Sequence, residues 1–399
     1  MKNILLLSNI YPNNDPEYTG TSVCHSFTRE WVAMGNNVKV VHFESLFPRP
    51  YYWVGKLFKE RIKAKTGAVA YMNMPREYTE YSVDSVPVLF VPLKKCFPHK
   101  SPSKRVINKA FIRLINKLNA DGFVPDVITA HFILPQLQFL HLFKQRFPKA
   151  TTCLVLHGNS EMIQHFYPHN YLEFMSSVDI WGFRSLSFLN DFVNRFDLKK
   201  KVFLCHSGIP EKYIEKINRS FDKGVHRFVY VGGLIELKNV DITLRALHKA
   251  LKGYEYTFDI IGSGAEHDKL CRIVEELGMS EHVVFHGQMK RDDAQQIVRD
   301  SDCLIMVSTR EAFGLAYVEA MAKGCIVIGT KGQGIDGIVI NGDNGFLCDA
   351  RDVDGLANVI KNIVALPPER VRQISSCAVE TAANMTDRKV AERYLNALI

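Results

Sequence analysis

Short apolar runs alternate with longer mixed stretches along this chain, and the second half does so with little slack. Runs of strand type fall at 228–231, 258–261, 283–286, 304–307, 326–328 and 345–347. Between them lie candidate helices at 241–251, 266–277, 292–299, 314–323 and 354–366. This alternation predicts a parallel, doubly wound sheet with its ligand site at the carboxyl ends of the strands. The first half repeats the theme more loosely, with strands at 4–7, 38–42, 127–130, 152–156 and 202–205 and helices at 22–34, 103–119 and 135–147. A polar stretch over 208–224, containing Pro210, marks the boundary between domains at 1–208 and 209–375. The expected fold class is α/β: two doubly wound, Rossmann-like domains facing each other across a cleft.

Composition agrees with that picture and narrows it. A chain of 399 residues is too long for one ordinary core. Its 47% hydrophobic and 23% charged residues are ordinary for a soluble globular protein. No apolar run approaches the ~18 residues of a membrane span. The opening run Ile4 to Leu7 is too short for a signal peptide, and polar residues follow it, so it reads as a buried strand. The nine cysteines include no Cys-x-x-Cys pair and mostly sit in apolar runs, which suggests reduced thiols and a cytoplasmic location. Charge is uneven. Residues 1–205 carry 26 basic and 15 acidic side chains, the remainder 24 and 27. Most of the excess lies between Arg49 and Lys117, with 15 basic and 4 acidic residues, which hints at an anionic partner for the first half.

The segment from Arg310 to Gly324 carries the most chemistry. It lies between two strand-like runs and should form a helix from Gly314 to Gly324. A helix start at the carboxyl end of a parallel strand is an anion site, because its first N–H groups are free and the dipole is positive there. Glu311 precedes this start, and Glu319 follows two turns later. The two carboxylates would bracket a phosphate site, one reaching outside the phosphates and the other behind them. A sugar nucleotide has that layout.

Further motifs recur in order along the chain: Gly20-Thr21-Ser22, Pro125 to His131, Leu156-His157-Gly158, His206 to Pro210, Val231 to Lys238, Ile261-Gly262-Ser263-Gly264, His286-Gly287, and Glu311 with Glu319. Together they resemble the family 4 retaining glycosyltransferases of the GT-B fold, over nearly the whole chain. The resemblance implies a transferase that takes a sugar from a nucleoside-diphosphate donor to a glycan or lipid-linked acceptor in surface polysaccharide synthesis. It implies that Glu311 and His157 act on the donor sugar and that Glu319 accepts from the ribose hydroxyls. Gly20, Gly233, Lys238, Phe313, Gly314 and Leu315 would hold the diphosphate, with no metal and no cofactor. A helix within 376–399 would cross back to the first domain. The sequence departs from the family where Gly233 replaces the usual Arg and where Thr19-Gly20 replaces Gly-Gly. Lys238 must then carry more of the diphosphate charge.

Other candidates carry bland explanations beside the functional one. Asp300-Ser301-Asp302 and Asp352-Val353-Asp354 match a metal-nucleotide motif, but Asp352 can simply cap the helix that follows. Ile261 to Gly264 lacks the third glycine of a dinucleotide fingerprint. His131 and His206 read as packing or cleft-lining residues. The stretch from Trp53 to Lys63 interleaves apolar and basic residues, and two readings stand: a solvated helix, or contact with anionic lipid at the inner face of a membrane. No nucleic-acid module accompanies the basic region. Rival functions are a GT-B epimerase or hydrolase of nucleotide sugars and a non-catalytic nucleotide-sugar-binding relative.

Overall fold

The computed structural model describes residues 1–13, 21–58, 76–96, 101–197, 199–214 and 219–399, without the side chains of residues 54 and 56. Gly20, Lys59, Arg61 and Lys63 lie outside the described residues, as does the side chain of Lys56. The chain divides into two units. The first comprises Met1–Arg184, Phe188–Gly208 and Asp387–Ile399, the second Ser185–Ser187 and Ile209–Thr386.

Unit 1 is built on a sheet of eight strands. They are β1 (Asn3–Ser8), β2 (Asn37–Leu46), β3 (Thr79–Val83), β4 (Val86–Lys94), β5 (Val127–His131), β6 (Thr151–Leu156), β7 (Ile180–Phe183) and β8 (Lys201–Leu204). The spatial order is β3-β4-β2-β1-β5-β6-β7-β8, parallel except for the β3–β4 hairpin. Ile4 to Leu7 of the central β1 are fully buried, as a strand covered on both faces requires. The hairpin and β7 are additions to the strands expected from sequence. Pro87 and Pro92 would ordinarily argue against a strand at β4. Pairing with β3 covers 86–90 and pairing with β2 covers 88–94. Each proline therefore sits where β4 has a neighbour on one side only, and its missing N–H costs nothing there.

The chain enters unit 1 again at Asp387. The expected returning segment of 376–399 is shorter than that: the helix Pro368–Ala383 stays in unit 2. Ser375 holds it there by donating to Gly324 O, and Thr381 Oγ1 accepts from Asn344. The helix Asp387–Leu398 packs on the helix Val23–Ala33, where Trp31 Nε1 donates to Ala391 O at 3.0 Å. Val390, Tyr394, Leu395 and Leu398 are buried, each contributing roughly 1.5–3 kcal/mol if fully withdrawn from water. Gly208 permits this return, since a Cβ there would lie 2.5 Å from the Asp387 backbone.

Unit 2 holds six parallel strands: β9 (Arg227–Val231), β10 (Thr257–Ile261), β11 (Val283–Gly287), β12 (Cys303–Ile305), β13 (Ile326–Thr330) and β14 (Phe346–Cys348). Their order is β11-β10-β9-β12-β13-β14. The order reverses direction between β9 and β12, and a doubly wound sheet places its ligand crevice at such a point. Helices at Val240–Ala250, His267–Glu276, Arg291–Asp300, Leu315–Ala322 and Val353–Val364 connect or follow these strands, within two residues of the sequence expectation. No helix among the described residues is long and apolar enough to cross a membrane.

Candidate functional site

The carboxyl ends of β9, β10 and β11 are laced together by main-chain hydrogen bonds. Gly232 N donates to Ile261 O, Leu234 N to Ser263 O, and Gly262 N to Gly287 O, all within 3.0 Å. A Cβ on Gly262 would fall 1.8 Å from Gly232 O, and one on Gly264 would fall 2.2 Å from Leu234 O. These glycines are needed for loops to touch, which accounts for the Gly-x-Gly spacing without a dinucleotide.

The loop after β9 ends in the turn Glu236–Lys238 and then Asn239, whose backbone is left-handed at φ 50°. Asn239 Nδ2 donates to Val307 O and Thr309 Oγ1, and Thr309 N donates to Leu237 O. The Lys238 turn is thus docked against the loop after β12. Its side chain meets Glu311, with Lys238 Nζ 2.5 Å from Glu311 Oε2. Only 19% and 14% of these side chains is exposed, so water screens the pair weakly. The backbone of Glu311 is also fixed: its N–H donates to Gln333 Oε1 and its carbonyl accepts from Gly334 N, each at 3.0 Å.

The helix Leu315–Ala322 begins at Gly314, which takes a left-handed φ of 82°. A side chain there would be strained, and its Cβ would lie 2.5 Å from the Tyr317 ring. Gly334 packs so close to Phe313 that a Cβ there would come within 2.4 Å of the Phe313 nitrogen. That flank of the Phe313 amide is shielded. Glu319 is buried, and both of its oxygens are occupied: Arg291 Nη2 donates to Oε1 and Gln295 Nε2 to Oε2. Arg291 in turn lies 5.3 Å from the centre of the Tyr213 ring. The Glu319 charge is therefore matched by protein, while each oxygen keeps lone-pair capacity for a hydroxyl.

His157 lies in unit 1, just past β6, and is described there by itself. Its Nε2 is 2.9 Å from His131 Nδ1, and its ring stacks on Phe132 with centroids 4.0 Å apart. His131 Nε2 is 3.3 Å from the Tyr394 hydroxyl, which also meets Thr129. Burial holds the His157 imidazole well below the usual histidine range, helped by His131 and the buried Arg184. Burial likewise pushes His131 down to about 3. Both rings are neutral at physiological pH and act as hydrogen-bonding groups. His206 is pushed down to about 4 by burial and Arg184.

The two Asp-x-Asp segments have structural partners. Asp302 accepts from the backbone of His226 and Arg227 and pairs with Arg219, and Asp352 caps its helix by accepting from Gly355 N at 2.9 Å. Among the described residues no group of His, Cys, Asp and Glu could hold a metal ion. All nine cysteines are free thiols.

Lys238 and Glu311 thus meet beside the helix start at Gly314, and Glu319 lies farther along that helix, held by Arg291 and Gln295. Leu315 begins the helix and Phe313 borders it, while Gly233 sits in the loop above Lys238. The structure adds Asn239, Arg291, Gln295 and Gln333, which orient these side chains. No local pattern marks them. Arg291 and Gln295 meet Glu319 across 28 and 24 residues, a pairing set by packing of two helices.

Residues 211–377 match the family described as Glycosyl transferases group 1. The chain is 25% identical over 244 residues to an N-acetyl-alpha-D-glucosaminyl L-malate synthase of Bacillus anthracis, covering 58% of this chain and 64% of that one. It is 35% identical over 162 residues to a D-inositol 3-phosphate glycosyltransferase of Mycobacterium sp. (strain KMS), covering 39% and 36%. The match thus spans less than two thirds of each of these relatives. Among solved structures, Anabaena HepE in complex with UDP superposes with a TM-score of 0.70 at 17% identity, over 100% of this chain and 99% of that one. Over residues 211–377 the chain thus matches the group 1 glycosyl transferases, and its two units have the Rossmann-like sheets of GT-B structures.

Proposed function

We propose that this protein is a retaining, family 4 glycosyltransferase that moves a sugar from a nucleoside-diphosphate donor to a glycan or lipid-linked acceptor in surface polysaccharide synthesis. The observation that carries this reading is the Lys238–Glu311 pair beside the helix start at Gly314. Cleavage of the donor's glycosidic bond leaves negative charge on the diphosphate. Lys238 and the amides of Gly314 and Leu315 supply opposing charge where it develops, which is where electrostatic stabilisation lowers a barrier. No metal is needed for that step on this account. Glu311 holds Lys238 in place and presents its remaining oxygen to the sugar. Glu319, already fixed by Arg291 and Gln295, accepts from the ribose. His157, neutral and held by His131, offers a hydrogen bond to the donor sugar. Retention then follows front-face attack, with a diphosphate oxygen taking the acceptor proton and no protein nucleophile involved.

A nucleotide-sugar donor is supported by the HepE structure, which is a complex with UDP. Cytoplasmic location is part of the same proposal. The test is a thermal-shift screen of UDP-, GDP- and ADP-sugars with EDTA present, followed by mass-spectrometric detection of transfer. A ligand that binds only the folded state raises the melting point. Absence of a shift for every nucleotide sugar, or a shift abolished by EDTA, overturns the reading. Donor consumption at full rate without acceptor would instead mark an epimerase or hydrolase.

A further inference from the structure

Unit 1 contains a cavity that the proposed donor chemistry does not use. It lies beside β4, against the helix Lys104–Ala120 and the residues that lead into β3. Its volume is about 610 Å³. Arg76, Lys94, Lys109 and Arg113 line it, with Glu77 as the acidic residue in the lining. Lys117 reaches it too, but Glu80 at 3.0 Å and Asp121 at 3.1 Å already neutralise that ammonium. Among the described residues, Lys94, Lys109 and Arg113 have no carboxylate partner. Lys109 and Arg113 stand four residues apart, so the helix carries them on one face. A second cavity, about 720 Å³, shares Arg76, Glu77 and Lys94 with the first and continues it to Phe47 and Ser103. Ser103 is the N-cap of the helix, accepting from Val106 N, so the positive end of the helix lies at this second cavity.

Charge decides what fits. Four cations against the Glu77 carboxylate leave an excess of three positive charges around one concave space. A single carboxylate would balance one of them. A phosphate or diphosphate ester carries enough charge, and enough acceptor oxygens, to engage two ammonium groups and a guanidinium together. The second cavity adds Leu46, Phe47 and Pro48, an apolar wall for the rest of such a molecule.

We propose that this cavity binds the phosphate or diphosphate ester of the acceptor; assigning it to the acceptor rests on the transferase reading above, whereas anion binding itself does not. The probe is inorganic pyrophosphate, titrated calorimetrically into the full chain carrying Lys238→Ala, which weakens the donor site. The comparison is the same chain with Lys109→Gln and Arg113→Gln added, against a control with Lys199→Gln and Lys201→Gln, which removes equal charge elsewhere in unit 1. The expected result is at least a tenfold loss of pyrophosphate affinity in the first and less than twofold in the control. Equal losses in both, or no pyrophosphate binding before substitution, overturn the proposal. Nucleotide-sugar thermal shifts of Lys109→Gln/Arg113→Gln in the otherwise natural chain should match wild type. If they vanish in this variant alone, the cavity belongs to the donor and the proposal falls. If no nucleotide sugar shifts the wild type, the transferase reading falls while the pyrophosphate result stands. Competition with vesicles of phosphatidylglycerol identifies the source: displacement of pyrophosphate by these and not by phosphatidylcholine vesicles marks a lipid headgroup, and no displacement by either marks a water-soluble phosphate ester.

Discussion

The strand ends of the two units solve opposite electrostatic problems. In unit 2, Lys238, Glu311, Arg291 and Glu319 are charged, paired and partly shielded from water. In unit 1, His131 and His157 are held neutral by burial, next to Tyr394 and Thr129. The first arrangement can meet charge that appears during a reaction. The second can only donate or accept hydrogen bonds, and it depends on staying uncharged. The difference predicts that acidity damages unit 1 first, while charge deletion damages chemistry in unit 2.

The largest expected effect is therefore of pH on unit 1. His131 has a folded value of about 3, and His42 and His206 of about 4, against 6.5 for the free side chain. A lowered folded value means the unfolded chain takes up protons first. Stability is full above pH 6.5 and falls as pH drops toward 4, by roughly 1.4 kcal/mol per pH unit for each such histidine. Glu44 opposes this. Burial raises its carboxyl to about 7, so its contribution is present below 4.5 and is lost as pH rises toward 7. All three tryptophans, Trp31, Trp53 and Trp181, lie in unit 1, so their fluorescence follows this unit during urea unfolding. His131→Gln should flatten the acid slope by about one proton. An unchanged slope would show that the ring is charged in the fold.

Charge deletion in unit 2 comes next. Lys238→Ala and Glu311→Ala should each lower turnover roughly tenfold to a hundredfold, since hydrogen bonds to charged groups contribute about 1.5–3 kcal/mol. The double variant should cost little more than either alone, because the two residues act as one pair. Additive losses would mean that the Lys238–Glu311 contact does not couple their two contacts with the donor. Glu319→Ala should raise the nucleotide dissociation constant with a smaller effect on turnover.

How far the sequence could be read also separates the units. In unit 2 the apolar runs coincide with strands because every strand is parallel and the central ones, β9, β10, β12 and β13, are largely buried, and the glycines mark loops that must touch. In unit 1 the signals conflict. The β3–β4 hairpin turns through Asp84 and Ser85, both with positive φ, rather than through the Asn-Gly that would announce it. Two prolines disguise β4, and β7 is four residues long with Gly182 inside it, where a Cβ would strike Phe203 and Val155 at 2.9 Å. The candidate carboxylates stood out through their spacing, and Lys238 through the resemblance of the Val231–Lys238 loop to a family phosphate loop. Arg291, Gln295 and Tyr394 did not, because only tertiary packing brings them to their partners.

Gly314 offers a third, smaller test of how unit 2 is built. Gly314→Ala forces a left-handed backbone on a residue with a Cβ, at about 1–2 kcal/mol, and pushes that Cβ into Tyr317. Calorimetry should show a lower melting point, with nucleotide affinity reduced because the helix start moves. Retained stability would mean the helix can begin one residue later without loss.

The smallest effect should be a gain, at Gly233. Its backbone lies outside the left-handed region, and a Cβ there would meet nothing nearer than Ser263 O at 3.9 Å. Glycine is not required by the fold at this position, unlike at Gly262 or Gly264. Gly233→Arg should therefore leave stability within about 0.5 kcal/mol, as surface substitutions usually do. It places a second cation in the loop that carries Lys238, so a nucleoside diphosphate should bind severalfold more tightly. A nucleoside monophosphate, lacking the outer phosphate, should gain less. The gain should shrink with salt, since exposed charges are screened over about 8 Å at physiological ionic strength. Glu311 competes for the new guanidinium, and if it captures that group entirely the affinity will not change; Gly233→Arg combined with Glu311→Gln separates this case. Failure of both variants to favour diphosphate over monophosphate would place the diphosphate away from the β9 loop and leave the helix start at Gly314 as its sole anchor.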